Sequence, residues 1–183
     1  TSITQGAAAA RPSMGFVNII GRRLDVPVVN LGFSGNGDMQ LAMVDYLARI
    51  DASCYVIDVI HNCGVARPGD RGETFLRRLR ARRPDVPIVL CEGSDPFKSF
   101  IGRHRDLRAL YDKLVAEGWT KLSYVREGDL FTADADGIQD HSHPNEWGMM
   151  HLAFGIGDAV ADALGIARMR KYPVGPHTPY CAP

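Results

Sequence analysis

Short apolar runs alternate along the chain with stretches of helical periodicity. The apolar runs cover residues 26–32, 54–60, 86–93 and 121–125. They are rich in β-branched residues, continuous rather than alternating, and closed by glycine or polar residues. This pattern is typical of strands that are buried on both faces of a sheet. The sequence therefore predicts four buried strands.

The stretches between the runs favour helices. Residues 38–51 and 106–118 carry apolar side chains at helical spacing, and the second stretch ends at Gly118, which suits a helix C-terminus. A last helix is predicted from about Pro144, a natural first-turn proline, to about Leu164. Strands that alternate with helices indicate a parallel sheet covered on both faces. We therefore predict a three-layer α/β/α domain.

Length and charge narrow the class of protein. The 183 residues predict a single domain over 1–183, and a composition with 45% hydrophobic and 23% charged residues is ordinary for a globular fold. Lys plus Arg number 21, as do Asp plus Glu, so no net charge favours nucleic acid or an anionic membrane. The arginine-rich stretch from Arg77 to Asp85 is predicted to be a solvated helix face. No apolar run approaches the roughly 18 residues of a membrane span.

Four cysteines lack the spacing of a zinc or redox motif; they are Cys54, Cys63, Cys91 and Cys181. Cys54 and Cys91 lie in predicted strands and are expected to be buried free thiols. The tail from residue 171 onward is rich in proline and is expected to be irregular. Compartment and oligomeric state stay open.

The chain opens with TSITQG, followed by an alanine run at residues 7–10 that predicts the start of a helix. Small hydroxyl residues before a helix are usually N-caps. In parallel α/β folds such a loop normally follows the carboxyl end of a central strand. We therefore expect the chain to lack its first strand and to be truncated before Thr1, which leaves room for an upstream domain.

Three further segments carry chemistry. In DHSHPN, Asp140 and His143 are three residues apart, and a carboxylate can fix the tautomer of a histidine that acts as a general base. Gly35 and Asn62 follow the first two predicted strands and could supply backbone and side-chain amide donors to an oxyanion. Each segment alone also fits a turn or a helix cap.

Taken together in this order, the segments resemble the four blocks of the SGNH hydrolases, also called the GDSL esterase/lipase family. The resemblance implies a flavodoxin-like parallel sheet and a serine esterase. Ser2 would be the nucleophile, and Asp140 and His143 the acid–base pair. The backbone of Ser2, Gly35 and the Asn62 amide would form the oxyanion hole. It implies no metal and no organic cofactor.

The chain departs from the family pattern in two blocks. Thr1 stands where the first block usually has Asp, and Ile60 and Cys63 replace the usual Gly and Asp around Asn62. An opening of the GTSITQG type resembles a family branch that includes carbohydrate-active esterases. Small residues beside the oxyanion loops predict short acyl esters, acetyl first, and the resemblance to this branch implies a sugar or another polyol as the alcohol. Trp119 and Trp147 could stack on a sugar ring or pack in the core.

Several alternatives remain at this point. They are a lipase or lysophospholipase type of acylhydrolase, a non-catalytic binding module, a hydrolase that uses Thr1 as an N-terminal nucleophile, and a metal-dependent hydrolase. The metal ligands would be His61, Asp140, His141 and His143. Of the other histidines, His104 is expected to be solvated, His151 to be packed or at the surface, and His177 to belong to the tail.

Overall fold

The computed structural model describes residues 1–63, 68–130 and 135–168. It contains six α-helices and three strands within these ranges. In chain order they are α1 (Ser2–Gln5), α2 (Phe16–Leu24), α3 (Ala42–Leu47), β1 (Tyr55–Asp58), α4 (Pro68–Arg82), β2 (Ile88–Cys91), α5 (Ile101–Ala116), β3 (Leu122–Val125) and α6 (Glu146–Leu164).

The strands form a parallel sheet in the order β1-β2-β3. All four residues of the central strand β2 are buried. Ile88 and Leu90 belong to one hydrophobic core, whereas Val89 and Cys91 belong to the other. Successive side chains of a strand point to opposite faces, so β2 is covered on both sides.

Helices cover both faces of this sheet. The first core receives side chains from α3, α4 and α5, including Phe75, Leu76 and Leu107. The second core receives them from α1, α2 and α6, including Ile3, Phe16 and Leu152. This arrangement confirms the predicted three-layer α/β/α fold. Because the sheet is parallel, the sandwiched antiparallel sheets that the Thr1-nucleophile alternative requires are not the architecture of the described residues.

The predicted strand at residues 26–32 is wrong. This segment has no strand partner among the described residues, and Val29 is 64% exposed. Its contacts are instead with helices: Asn30 donates from Nδ2 to the Thr4 carbonyl, and Val28 packs against Gly21 of α2. An apolar run becomes a strand only where another strand satisfies its backbone groups.

Helix boundaries also differ from the prediction. Residues 7–10 are not helical, because α1 ends at Gln5 and is capped by Gly6 in the left-handed conformation (φ 103°). Of the predicted helix 38–51, only α3 is an α-helix. Pro144 lies before α6, which begins at Glu146 with Asn145 as its N-cap. The N-cap side chain therefore sets this helix start.

Charged and thiol side chains complete the fold. The expected solvated arginine face is built of ion pairs: Arg77 with Glu73, and Arg82 with Asp45.

Cys91 is a buried free thiol, as predicted, whereas Cys54 is free and only partly buried. Cys181, His177 and the predicted irregular tail lie outside the described residues. No helix in the described part of the chain has both the length and the apolar character needed to cross a membrane.

Candidate active site

The single turn α1 presents Ser2 at the carboxyl edge of the sheet. Thr1 is the N-cap, and its Oγ1 accepts a hydrogen bond from the Thr4 amide at 3.3 Å. Thr1 therefore caps the helix, and the hydroxyl of Ser2 is available for another contact. Ser2 is only 8% exposed.

A tight loop before α6 carries Asp140 and His143. Its ends are tied by an antiparallel bridge between Ile138 and Pro144 and by a 2.8 Å hydrogen bond from the Gln139 amide to the His143 carbonyl. The backbone amide of His143 donates to Asp140 Oδ1 at 2.8 Å. The loop thus fixes the Asp140 carboxylate against the backbone of His143.

Ser2, His143 and Asp140 form a continuous hydrogen-bonded chain. Ser2 Oγ lies 2.9 Å from His143 Nε2, and His143 Nδ1 lies 2.8 Å from Asp140 Oδ2. Hydrogen bonds from the amide and ring of His143 lower the pKa of Asp140 from 3.8 to about 2. The carboxylate is therefore ionised and can only accept, so Nδ1 carries the proton and Nε2 can accept one from the serine.

Asn62 lies in the turn that follows β1. Its Oδ1 accepts a hydrogen bond from the Gly37 amide at 3.2 Å. The side-chain Nδ2 makes no hydrogen bond to any described residue. The Gly37 contact therefore fixes which end of the amide is free to donate to a ligand.

Gly35 lies in an exposed turn with φ 70°, and nothing lies within 4 Å of the position that a side chain would take. Its amide has no acceptor among the described residues, nor has the first-turn amide of Ser2. Sequence reasoning missed Gly37, where a Cβ would stand 2.7 Å from the Thr1 nitrogen. The doubled glycine of SGNG is the signal that could have pointed to it.

Asp58 is a second residue that sequence reasoning missed. It ends β1 beneath α1 and accepts hydrogen bonds from the hydroxyls of Thr1 and Thr4. The available signal is a carboxylate inside the otherwise apolar run CYVIDVI. A charge at the carboxyl end of a buried strand in an α/β fold points to a site.

The loop at residues 92–100 forms one side of the site. Asp95 accepts from the amides of Ser99 and Phe100 at 2.8 and 2.7 Å and so anchors the start of α5. At the tip of the loop, Phe97 stacks on His141 with ring centroids 4.2 Å apart. The two loops therefore meet through an exposed aromatic pair next to Asp140.

The two tryptophans and His104 lie in different environments. Trp147 lies in the first turn of α6, is 52% exposed, and packs edge-to-face against His151. Trp119 precedes β3, at the opposite edge of the sheet, and packs under Arg80. The expectation for His104 is wrong, because it is buried in α5.

The residues of the metal alternative do not gather in one place. His61 contacts the Ser94 carbonyl through Nε2 at 2.6 Å, whereas His143 bonds Ser2 and Asp140. Within residues 1–63, 68–130 and 135–168, no three His, Cys, Asp or Glu side chains are grouped so as to hold a metal ion.

Comparison with known proteins identifies the family. The model of the GDSL-like Lipase/Acylhydrolase family matches residues 1–160, and the chain belongs to that family. This confirms the resemblance that the four blocks indicate. A comparison with curated proteins gave no match.

Solved structures share the fold. A Bacteroides ovatus protein assigned as a GDSL-like lipase is 28% identical, with a TM-score of 0.84 over 92% of this chain and 53% of that one. The salicylyl-acyltransferase SsfX3 of a tetracycline biosynthetic pathway is 19% identical, with a TM-score of 0.74 over 91% and 53%. A family two carbohydrate esterase from Clostridium thermocellum is 14% identical, with a TM-score of 0.65 over 85% and 55%. The chain thus spans little more than half the length of each.

Proposed function

We propose that this chain is a serine esterase that cleaves short-chain acyl esters, acetyl esters first, through an acyl-enzyme. The observation that carries the proposal is the chain of hydrogen bonds from Ser2 through His143 to Asp140, with distances of 2.9 and 2.8 Å. A nucleophile, a base and an orienting carboxylate at these distances can perform acyl transfer. Membership of an acylhydrolase family supports the same chemistry.

In the first half of the reaction, Ser2 Oγ attacks the ester carbonyl carbon while His143 Nε2 takes the hydroxyl proton. The carbonyl oxygen becomes an oxyanion. Its donors would be the amides of Ser2 and Gly35 and the Nδ2 group of Asn62, which have no competing acceptor among the described residues. The bond to the alcohol oxygen then breaks, and His143 returns the proton to that oxygen.

In the second half, water takes the place of the alcohol. His143 removes a proton from the water as it attacks the acyl carbon on Ser2. The second tetrahedral intermediate collapses, the bond from the acyl group to Oγ breaks, and the proton returns to Oγ. Asp140 keeps Nδ1 protonated throughout and stabilises the positive charge that appears twice on the ring.

The alcohol side of the substrate is proposed to be a sugar or another small polyol. Trp147 offers an exposed ring four residues after His143, and a ring face of this kind stacks on the C–H face of a sugar. The carbohydrate esterase of Clostridium thermocellum, which was solved with cellohexaose, has the same fold. For the acyl side, the small residues of the SGNG loop support short chains.

Hydrolysis of longer acyl chains is the second candidate. It is favoured by exposed apolar side chains just ahead of the Gly35 turn, at Val29, Leu31 and Phe33. These side chains could cover an acyl chain of several carbons. A series of p-nitrophenyl esters from acetate to octanoate decides between the candidates, since the position of the kcat/KM maximum reports the preferred chain length.

The esterase proposal is tested with p-nitrophenyl acetate and acetylated sugars, comparing wild type with Ser2→Ala. We expect turnover that Ser2→Ala abolishes, and labelling of wild type by a fluorophosphonate probe at Ser2. The control is Ser13→Ala, which changes an exposed serine outside the site. Equal rates for wild type and Ser2→Ala would leave a non-catalytic binding module as the better explanation.

A further inference from the structure

A buried carboxylate lies directly beneath the nucleophile turn. Asp58 is the last residue of β1 and is 8% exposed. Its Oδ2 accepts a hydrogen bond from Thr1 Oγ1 at 2.8 Å and another from Thr4 Oγ1 at 2.6 Å. These threonines flank Ser2, one residue before it and two residues after. The proposed reaction itself does not use this carboxylate.

The turn that carries Ser2 needs such a support. A helix of four residues cannot hold its own geometry, because isolated helices of this length are unstable in water. Both threonine hydroxyls donate to the same oxygen atom, so α1 is fixed to the end of β1 on both sides of the serine. The carboxylate therefore sets the height and tilt of the turn above the sheet.

The same strand end also positions Asn62. After Asp58 the chain enters the turn of residues 59–63, in which the Asn62 amide donates to the Val59 carbonyl at 2.9 Å. Arg103 secures the turn from α5 by donating to the Ile60 carbonyl at 2.8 Å. Asp58 thus lies between the turn that carries Ser2 and the turn that carries Asn62.

The second oxygen of Asp58 accepts no hydrogen bond from any residue that the structure describes. Asp58 Oδ1 and His61 Nδ1 are both buried without a hydrogen-bond partner among the described residues, and both lie against Gly93, 3.1 and 3.2 Å from the position that a Cβ would take there. His61 Nε2 must donate to the Ser94 carbonyl, because that oxygen can only accept. In the neutral ring Nδ1 is then a second acceptor. Within the described residues, this oxygen of Asp58 takes part in no hydrogen bond.

We propose that Asp58 is a positioning residue of the esterase site, which acts as a hydrogen-bond acceptor for Thr1 and Thr4 and thereby aligns Ser2 Oγ with His143. The inference rests on the proposed function. It assigns the role to the acceptor oxygen and not to the charge, so an amide at this position should serve nearly as well as the carboxylate.

The test compares Asp58→Ala with Asp58→Asn. Asp58→Ala removes the acceptor, and we expect kcat to fall on the order of 100-fold, since a small misplacement of a reacting group costs this much, with KM within about 3-fold. Asp58→Asn keeps an acceptor for both threonines, and we expect kcat within about 5-fold of wild type. Thr4→Val removes one donor with little change of shape and should lie between them.

A second readout does not depend on turnover. The imidazole ¹⁵N resonances of His143 report whether Nε2 accepts a hydrogen bond from Ser2. We expect Asp58→Ala to move them toward those of Ser2→Ala, and Asp58→Asn to leave them near wild type. If Asp58→Ala does not fold, Thr4→Val gives the same comparison.

Three results would overturn the proposal. They are an unchanged kcat and unchanged His143 resonances in Asp58→Ala and Thr4→Val, an Asp58→Asn variant as impaired as Asp58→Ala, and a loss that appears in KM alone. Absence of turnover in wild type would instead refute the esterase proposal. The His143 resonances would still show whether Asp58 aligns the serine.

Discussion

At the scale of single residues, two adjacent hydroxyls have different roles. Thr1 caps α1 and bonds Asp58, whereas Ser2 is directed at His143. A hydroxyl ahead of a helix is ordinarily a cap. Because Thr1 already fills that position, the Ser2 hydroxyl is free for the imidazole.

Asn62→Ala is expected to lower kcat on the order of 100- to 1,000-fold, the usual cost of one oxyanion donor. The fold should be preserved, because the side chain is only partly buried and its one hydrogen bond to a described residue is that of Oδ1 with the Gly37 amide. Steady-state kinetics on p-nitrophenyl acetate measure the effect. Asn18→Ala, in α2, is the matched control and should have wild-type kinetics. Wild-type turnover in Asn62→Ala would refute its assigned role.

Asp140→Asn is expected to lower kcat on the order of 10³- to 10⁴-fold, because an amide facing Nδ1 favours the wrong imidazole tautomer. The measurement is kcat at neutral pH, with circular dichroism to establish that the variant is folded. Asp162→Asn, which loses a surface ion pair with Arg168, serves as the control. If Asp140→Asn retains more than a tenth of the wild-type rate, Asp140 does not orient the base.

The lowered pKa of Asp140 also predicts a pH dependence of stability. Its pKa falls from 3.8 to about 2 on folding, so its contribution is present above pH 3.8 and is lost as pH falls toward 2. Solvent screens this half-exposed group, so the effect is small. Thermal unfolding from pH 6 to pH 2 measures it. The difference in Tm between wild type and Asp140→Asn should shrink over the acid part of that range, and a constant difference would contradict the prediction.

At the scale of elements, the sequence predicted strands correctly where an apolar run pairs with another strand of the sheet. The apolar runs that became β1, β2 and β3 pair with one another, and β2 is covered by helices on both faces. In the edge strand β1 the predicted burial is incomplete, because Val56 is 37% exposed. Residues 26–32 have a similar composition but pair with no strand in the described part of the chain, and their exposure could not be inferred from composition. The burial of His104 was missed for a related reason, since α5 turns this residue inward while the adjacent Arg105 faces solvent.

The site shows the same division between local and distant information. The spacing of Asp140 and His143 is local and pointed correctly to a hydrogen-bonded pair. The support from Asp58 depends on residues 54 and 57 positions away in the chain, and no spacing rule connects them. Such contacts are properties of the folded sheet edge.

The central strand should dominate stability. Leu90 is fully buried in β2, and Leu90→Ala is expected to lower the free energy of unfolding by about 2–5 kcal/mol through lost burial and a cavity. Urea denaturation followed by circular dichroism measures the change. Val115→Ala, on the exposed side of α5, should cost less than about 0.5 kcal/mol. Equal losses in the two variants would show that the sheet is not the core of the fold.

At the scale of the whole molecule, the candidate site is assembled from segments far apart in the chain. Ser2 and His143 are 141 positions apart, and the turn with Asn62 lies between them. Parallel strands bring their carboxyl ends to one edge, so a crossover architecture gathers such segments without any local sequence signal. A mutation that shifts β1 against β2 is therefore expected to displace Ser2, His143 and Asn62 relative to one another and so to lower esterase activity.

The outer side of β1 gives the last prediction. β1 is an edge strand of the described sheet. Thr4 of α1 bonds both Asp58, at the end of β1, and Asn30, in the exposed extended segment that contains Val29. Unpaired strand edges beside exposed apolar side chains favour pairing with another strand. We expect the chain to self-associate with rising concentration in light-scattering measurements, and Val29→Lys to reduce this association. Val115→Lys, on the opposite layer, is the matched control. If the protein stays monomeric at all concentrations, the edge of β1 does not pair with a second copy.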